Sequence, residues 1–281
     1  MKIKITADST CDLSPELVEK YNVGIIPLYI VKGDRSYKDG IEITPQEIFA
    51  YVDSGKGVCN TAAVNIIDYE SIFVKYLEEY DAVIHIDISS DMSSCYQNAC
   101  IAAQPLHNVY VVDSRNLSTG IGHLVIDAAN MAEAGMAPAD IKAALDKLTA
   151  KVESSFVIDT LKYLHKGGRC SSIAALGANL LKLRPCIEVV DGKMIVGKKY
   201  RGSMEKELLH YVEDRLGGRT DIDTRRIFIT FVHPISDELL EAIKEKIKGC
   251  QKFDEVLTTV AGCTISNHCG GSTLGILFYR K

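Results

Sequence analysis

The chain has 281 residues, of which 47% are hydrophobic and 25% charged, with a formal net charge of -5. This is the composition of an ordinary globular protein, long enough for one large or two smaller cores, and its acidic balance excludes a general nucleic-acid footprint. No apolar run approaches the ~20 residues that span a bilayer, so no stable membrane anchoring is expected.

Met1 leads straight into the strand-like KIKITAD with no basic-then-apolar signal segment, which points to a cytoplasmic location. The nine cysteines are odd in number, irregular in spacing and without a CxxC pair. Neither a disulfide framework nor a zinc centre is expected from them, and no other metal or cofactor is indicated.

Taken in order, KIKITADS reads as a first strand that ends in Asp8, Ser9 and Thr10. Ser14 and Pro15 start a helix as N-cap and first helical residue. VGIIPLYIV predicts a second strand in which Pro27 demands an edge or a bulge. Residues 37–40 form a turn, Thr44 caps a helix through Asp53, and residues 55–65 read as a loop containing Thr61 and Asn65. Residues 69–80 have the apolar spacing of an amphipathic helix.

The stretch AVIHIDISSDMSSCYQN, residues 82–98, is the centre of the pattern. Its apolar run has the length of a buried strand, and it then releases Ser89, Ser90, Ser93 and Ser94 before a helix-like segment. A strand ending in hydroxyls and entering a helix presents donors at a positively polarised helix N-terminus, a recipe for holding an anion. An ordinary serine N-cap is the other reading of the same residues. Residues 109–113 predict the next strand, closed by Asp113 and Ser114, and helices follow at 122–136 and 138–152. Strand and helix alternating at this spacing predict a parallel, doubly wound α/β sheet, with ligands at the carboxyl ends of its strands.

The second half changes character. A strand begins at Phe156, residues 161–164 are helical, and Lys166-Gly167-Gly168-Arg169 is a cationic turn. Arg169 can pair with a carboxylate or phosphate there, or the segment is a glycine C-cap. Residues 176–183 predict a small apolar helix. Three short antiparallel strands are expected at 186–190, 193–196 and 198–201, the first two joined by an Asp191-Gly192 hairpin turn. Beyond them come a helix at 204–216, a strand at 226–232, a helix at 236–248, a strand at 255–261, a Gly- and Ser-rich loop with His268, and a closing strand. The expected architecture is therefore two α/β domains, 1–152 with the parallel sheet and 153–281 with a mixed sheet and helices.

Among the histidines, His268 beside glycines is the candidate ligand contact or proton carrier, with His233 second. His85, alternating with isoleucines, reads as core, and His107, His123, His165 and His210 as surface or helix positions. No GxSxG, HExxH, Walker or GxGxxG motif is present. An enzyme reading therefore reduces to a transferase or hydrolase in which Ser93 acts with His268.

The ordered set ADSTCDLS, Thr61, ISSDMSSCYQNA, VVDSRNLSTGIG, LKYLHKGGR, RPCIEVVDGK, the YRG of residues 200–202 and SNHCGGSTLGILFY resembles the DegV family over the whole chain. That resemblance implies a cytoplasmic carrier, without catalytic machinery or cofactor, that binds a long-chain fatty acid between or within two domains. It places the carboxylate on Thr61 and Ser93 with His268 close by; Ser94, where a glycine often follows the binding serine, and Asn65, in the altered loop after Thr61, are further candidate contacts beside them. It also implies a fatty acid kinase as partner, faced by Arg169 and Arg201, which forms acyl phosphate for phospholipid synthesis; transient membrane contact fits such a role. The chain has Ala62-Ala63-Val64-Asn65 after the threonine and Cys269-Gly270-Gly271 after the histidine, where the family usually shows TSQPS and THTGPG.

Overall fold

The structure, a computed structural model, describes residues 1–170, 183–233 and 235–281. The chain opens with β1 (Ile3–Asp8) and α1 (Pro15–Lys20), whose first turn is held by the Ser14 hydroxyl. Pro27 then divides the expected second strand in two. β2 (Gly24–Ile26) pairs parallel with β1, whereas β3 (Tyr29–Lys32) leaves that sheet and pairs antiparallel with β4 (Arg35–Lys38). A residue without an N–H ends one ladder, and a second sheet begins beyond it. α2 (Pro45–Asp53) starts with a complete capping box between Thr44 and Glu47.

The expected loop at 55–65 contains β5 (Asn60–Ala62), which pairs with β3 and completes a three-stranded antiparallel sheet. Three residues are too few for alternation to show in sequence. α3 (Ile66–Leu77), β6 (Ala82–Asp87), α4 (Cys95–Ala103), β7 (Val109–Asp113), α5 (Thr119–Glu133) and α6 (Pro138–Leu148) follow. The parallel sheet has the order β2-β1-β6-β7. Chain direction across the sheet reverses between β1 and β6, so the strand exits at Asp8 and Asp87 flank the crevice that such sheets leave for ligands.

Residues 152–280 supply a mixed six-stranded sheet of order β10-β9-β8-β13-β11-β12. Its strands are β8 (Val152–Ile158), β9 (Leu183–Val190), β10 (Lys193–Arg201), β11 (Ile222–Phe231), β12 (Glu255–Val260) and β13 (Thr273–Arg280). α7 (Lys162–Gly167), α8 (Met204–Leu216), α9 (Asp237–Cys250) and α10 (Cys263–Cys269) complete the chain. Asp191 at φ 49° and Gly192 at φ 80° make the expected two-residue hairpin turn. The break expected between the strands at 196 and 198 is a register shift within one continuous strand. The helix expected at 176–183 lies outside the described residues, except Leu183, which begins β9. The closing Gly- and Ser-rich segment is not a loop throughout, because it holds α10.

α5 joins the two large sheets. Every residue from Thr119 to Ala128 is buried, and the helix packs on β1 and β6 on one side and on β8 and β13 on the other. Gly120 lets it approach, since a Cβ there would collide with Asn116 and Ser154. His123, expected as a surface or helix position, is fully buried on this helix with Nε2 2.9 Å from the Leu277 carbonyl. Nearby Arg226 of β11 meets Asp127 of α5 at 3.1 Å with both side chains 7% exposed. A buried pair of this kind is costly to part, because each charge would be left without its partner.

Candidate functional site

A cavity of about 100 Å³ opens beyond the carboxyl ends of β1 and β6. Leu28, Ala62, Ala63, Ile88, Met92, Leu117, Met194, Ile265 and Cys269 give it largely apolar walls. Thr61, Ser93, Ser94, Thr264, His268 and Arg169 are its polar lining. Five of the seven candidate residues from sequence therefore meet here.

Each is placed by a different element. Thr61 sits in the middle of β5, opposite Ile30 of β3. Ser93 ends the turn after β6, where its N–H donates to the Ser89 carbonyl at 3.2 Å. Its hydroxyl accepts from Cys95 N at 3.3 Å and donates to Cys95 Sγ at 3.2 Å, so Ser93 caps α4 while Ser94 makes no side-chain cap. His268 lies in the last turn of α10, with Nε2 2.8 Å from Thr61 Oγ1. Arg169 follows the left-handed Gly168 and donates to the Met92 and Gly167 carbonyls.

Burial, with the charge of Arg169 added, lowers the His268 pKa to about 4, so the ring is neutral. Its Nδ1 is out of solvent and has no hydrogen-bond partner among the described residues. That edge lies against Gly167, where a Cβ would collide with the ring. No hydrogen bond joins Ser93 to His268 among the described residues. The nucleophile–base contact that a hydrolase reading requires is replaced by His268–Thr61 and Ser93–Cys95.

Two candidates lie elsewhere. Asn65 spends its side chain on capping α3, accepting from Asp68 N at 2.9 Å and donating to the Asp68 carboxylate at 2.7 Å. It does not line the cavity; its short polar side chain before a helix is an ordinary cap. Arg201 ends β10 on the exposed surface and is likewise absent from the cavity wall. Ser89 and Ser90, expected at an anion site, are tied to the hairpin side of the molecule. Ser89 donates to the Gly192 carbonyl at 2.7 Å, and Ser90 accepts from Arg115 at 3.0 Å.

Sequence reasoning missed what fixes α10. Asp39 accepts from Cys263 N at 2.8 Å and Thr264 N at 3.0 Å, and Asp12 accepts from Gly262 N at 2.8 Å and from the Ser118 hydroxyl at 2.5 Å. Three successive N–H groups at the start of the helix are thus held by two carboxylates more than 220 positions earlier in the chain. Nothing local in sequence announces such partners.

Beneath the cavity lies a polar core at the strand exits. Asp87 accepts from the Tyr69 hydroxyl at 2.7 Å and lies 3.0 Å from His85 Nε2, while Asp8 accepts from Ile88 N at 2.7 Å and from Thr10. Asp8, Asp87 and Cys95 have ligand atoms within 4.8 Å of one another. These groups are already engaged within the protein: Asp8 by Ile88 N and Thr10, Asp87 by the Tyr69 hydroxyl, and Cys95 Sγ by the Ser93 hydroxyl. The donors here suit a hydrogen-bonded core better than a metal centre.

Fold and cavity together define a class: an α/β protein whose two large sheets enclose a mostly apolar chamber, with hydroxyls, a neutral imidazole and a guanidinium in its wall. Comparison supplies the family. The model described as an uncharacterised protein of the DegV family matches residues 2–281, and the chain belongs to the DegV family. It is 30% identical to a Thermus thermophilus DegV family protein described by its fatty acid binding, over 100% of both chains, with a TM-score of 0.87. A DegV lipid-binding protein from Thermotoga maritima is 28% identical over 100% of this chain and 99% of its own, with a TM-score of 0.85. A Thermotoga maritima fatty acid-binding protein is 31% identical over 98% of this chain and 96% of its own. Among the described residues, no helix is long and apolar enough to cross a membrane.

Proposed function

We propose that this chain binds a long-chain fatty acid, with its carboxylate against Thr61, Ser93 and Arg169 and its tail along the apolar wall. The observation that carries the reading is the Thr61–His268 pair set into a mostly apolar cavity. A neutral imidazole that donates Nε2–H to Thr61 Oγ1 leaves the threonine proton free to point at a ligand oxygen. Ser93 gives its proton to a sulfur, a weak acceptor, and would exchange it for a carboxylate at small cost. Arg169 adds the positive charge that an anion needs in a partly dry site.

The walls account for affinity. Burying about 14 methylenes would contribute roughly 11 kcal/mol before the costs of binding, against about 1 kcal/mol net for a single neutral hydrogen bond. The tail therefore sets how tightly the ligand is held, and the polar groups set which end is presented. The cavity of about 100 Å³ takes only the head of such a chain, so the tail must part the apolar wall beyond it.

The reading extends to a partner. A carboxylate held beside the exposed Arg169 is placed for presentation to a fatty acid kinase, which would move the terminal phosphoryl group of ATP onto it to give acyl phosphate. Arg201, on the surface, would serve that contact rather than the ligand. Extraction of the purified protein with organic solvent, followed by mass spectrometry, tests the binding step. A stoichiometric fatty acid is expected, and a Thr61→Val/Ser93→Ala double variant should keep it with affinity weakened by tens-fold rather than lose it. An empty extract with no uptake of added palmitate or oleate would sink the reading. Turnover of activated esters is expected to stay at background.

A further inference from the structure

Two buried side-chain polar atoms without a hydrogen-bond partner, among the described residues, belong to residues that line the cavity: His268 Nδ1 and Thr264 Oγ1. The first is shut against Gly167. The second is not explained by anything in the fold. Thr264 is 4% exposed, and a buried hydroxyl left without a partner is a real cost to the folded state. The usual relief for a threonine in a helix is to donate back to a carbonyl one turn earlier. Here the neighbouring Ala261 carbonyl already accepts from the Ser266 hydroxyl at 3.2 Å, and Thr264 makes no such bond.

Position adds to the argument. Thr264 and His268 are four residues apart on α10 and both line the cavity, so their Cβ atoms are about 5–6 Å apart along one face. The Thr264 backbone is fixed from outside the helix, through its N–H to Asp39 at 3.0 Å. Threonine divides between two χ1 rotamers in helices. Its hydroxyl and methyl can therefore exchange places when an oxygen arrives in the cavity, with no movement of the main chain.

We propose that Thr264 is a specificity-determining ligand contact that recognises an oxygen on the acyl chain a few carbons from the carboxylate, as in a 3-hydroxy fatty acid. This rests on the fatty acid reading above. The carboxylate's own acceptor sites are met by Thr61, Ser93 and Arg169. A hydroxyl one helical turn along the wall matches the spacing from a carboxylate to a substituent near the head of an extended chain. An unsubstituted chain leaves Thr264 as it is, whereas a 3-hydroxyacyl chain gives it the partner it lacks.

The test is competitive displacement of a fluorescent fatty acid by palmitate and by 3-hydroxypalmitate, with the unaltered protein, Thr264→Val and Thr264→Ser. The unaltered protein is expected to favour the hydroxy acid about fivefold, the worth of one neutral hydrogen bond. Thr264→Val should bring the ratio to about one while leaving palmitate binding within about twofold, and Thr264→Ser should keep the preference. A ratio of one in the unaltered protein, or a preference that survives in Thr264→Val, overturns the proposal. Equal weakening of both acids by Thr264→Val also overturns it, because the hydroxyl would then serve the carboxylate. Failure of the unaltered protein to bind either acid would instead remove the fatty acid reading. Thermal melts of the two variants separate lost contact from lost fold.

Discussion

Thr61 and His268 stand 207 positions apart in the chain and share a hydrogen bond of 2.8 Å. One belongs to a three-residue strand and the other to a seven-residue helix, so neither element would hold the pair by itself. The bond makes the two residues one device, the imidazole orienting the hydroxyl. His268→Ala is predicted to weaken palmitate binding about tenfold, and Thr61→Val by a similar factor, each the loss of about one oriented hydrogen bond. The double variant should be little worse than either single one, because residues acting as a unit are not additive. Isothermal titration of all four proteins checks this, and full additivity would show two independent contacts.

Gly167 is the backstop of that device. A Cβ at Gly167 would run into the His268 ring, whereas at Gly168 it would meet nothing but would sit at φ 67°. Gly167→Ala is therefore predicted to displace the imidazole and to reduce palmitate affinity as much as His268→Ala does, with little change in melting temperature. Gly168→Ala should act in the other direction. It should cost stability, on the order of 1 kcal/mol, through left-handed strain at the helix end, with affinity less affected. Paired melting and binding measurements on the two alanine variants decide the assignment.

Four buried groups give the stability a predictable dependence on pH. Burial lowers His123 to about 3 and His268 to about 4, from an ordinary 6.5. Burial raises Asp8 to about 7, helped by the charge of Asp87, and raises Asp12 to about 8, from an ordinary 3.8. The histidine contribution is complete above 6.5 and is lost as pH falls through the folded values. The carboxyl contribution is complete below 3.8 and is lost as pH rises through 7 and 8. Between those ordinary values the two slopes oppose each other, and above about 6.5 only the carboxyl slope of these four remains. The urea midpoint is predicted to fall between about pH 6.5 and about pH 8, and Asp12→Asn should flatten the upper part of that fall. A midpoint that rises over this interval would contradict the assignment.

Much of this was legible in the chain, for identifiable reasons. The parallel sheet announces itself because β6 is a short buried strand, apolar but for His85 and Asp87, and strands alternate with helical segments along the first half of the chain. Thr61, Ser93, Ser94, His268 and Arg169 stand out in the sequence as small polar or charged groups at strand exits and glycine turns, and they share one cavity wall. What was hidden depends on long-range partners. The segment of α10 is rich in polar and β-branched residues and follows a glycine, so its local propensity says loop; Asp12 and Asp39 supply the missing start. His123 reads only as a surface or helix position; it is on a helix, and its burial is hidden because a helix pressed between two sheets has no polar face for the pattern to reveal. Asn65 looked like a ligand contact because a cap and a binding residue use the same chemistry.

Leu117, Ile265 and Cys269 line the main cavity and also a second one of about 20 Å³, whose further wall includes Phe156, Phe231 and Leu277. These three shared residues are the partition between the two spaces. If the acyl tail runs toward the second cavity, the partition sets the length of chain that fits. Leu117 is 4% exposed, so Leu117→Ala removes buried volume and should destabilise the empty protein by about 2–4 kcal/mol. The same change should open the partition and favour longer ligands, each additional buried methylene contributing about 0.8 kcal/mol. Displacement with saturated acids from laurate to arachidate should show the optimum moving toward longer chains in Leu117→Ala, and long ligands should recover part of the lost melting temperature. An unchanged chain-length profile, in a variant shown to be folded, would mean that the tail leaves the site by another wall.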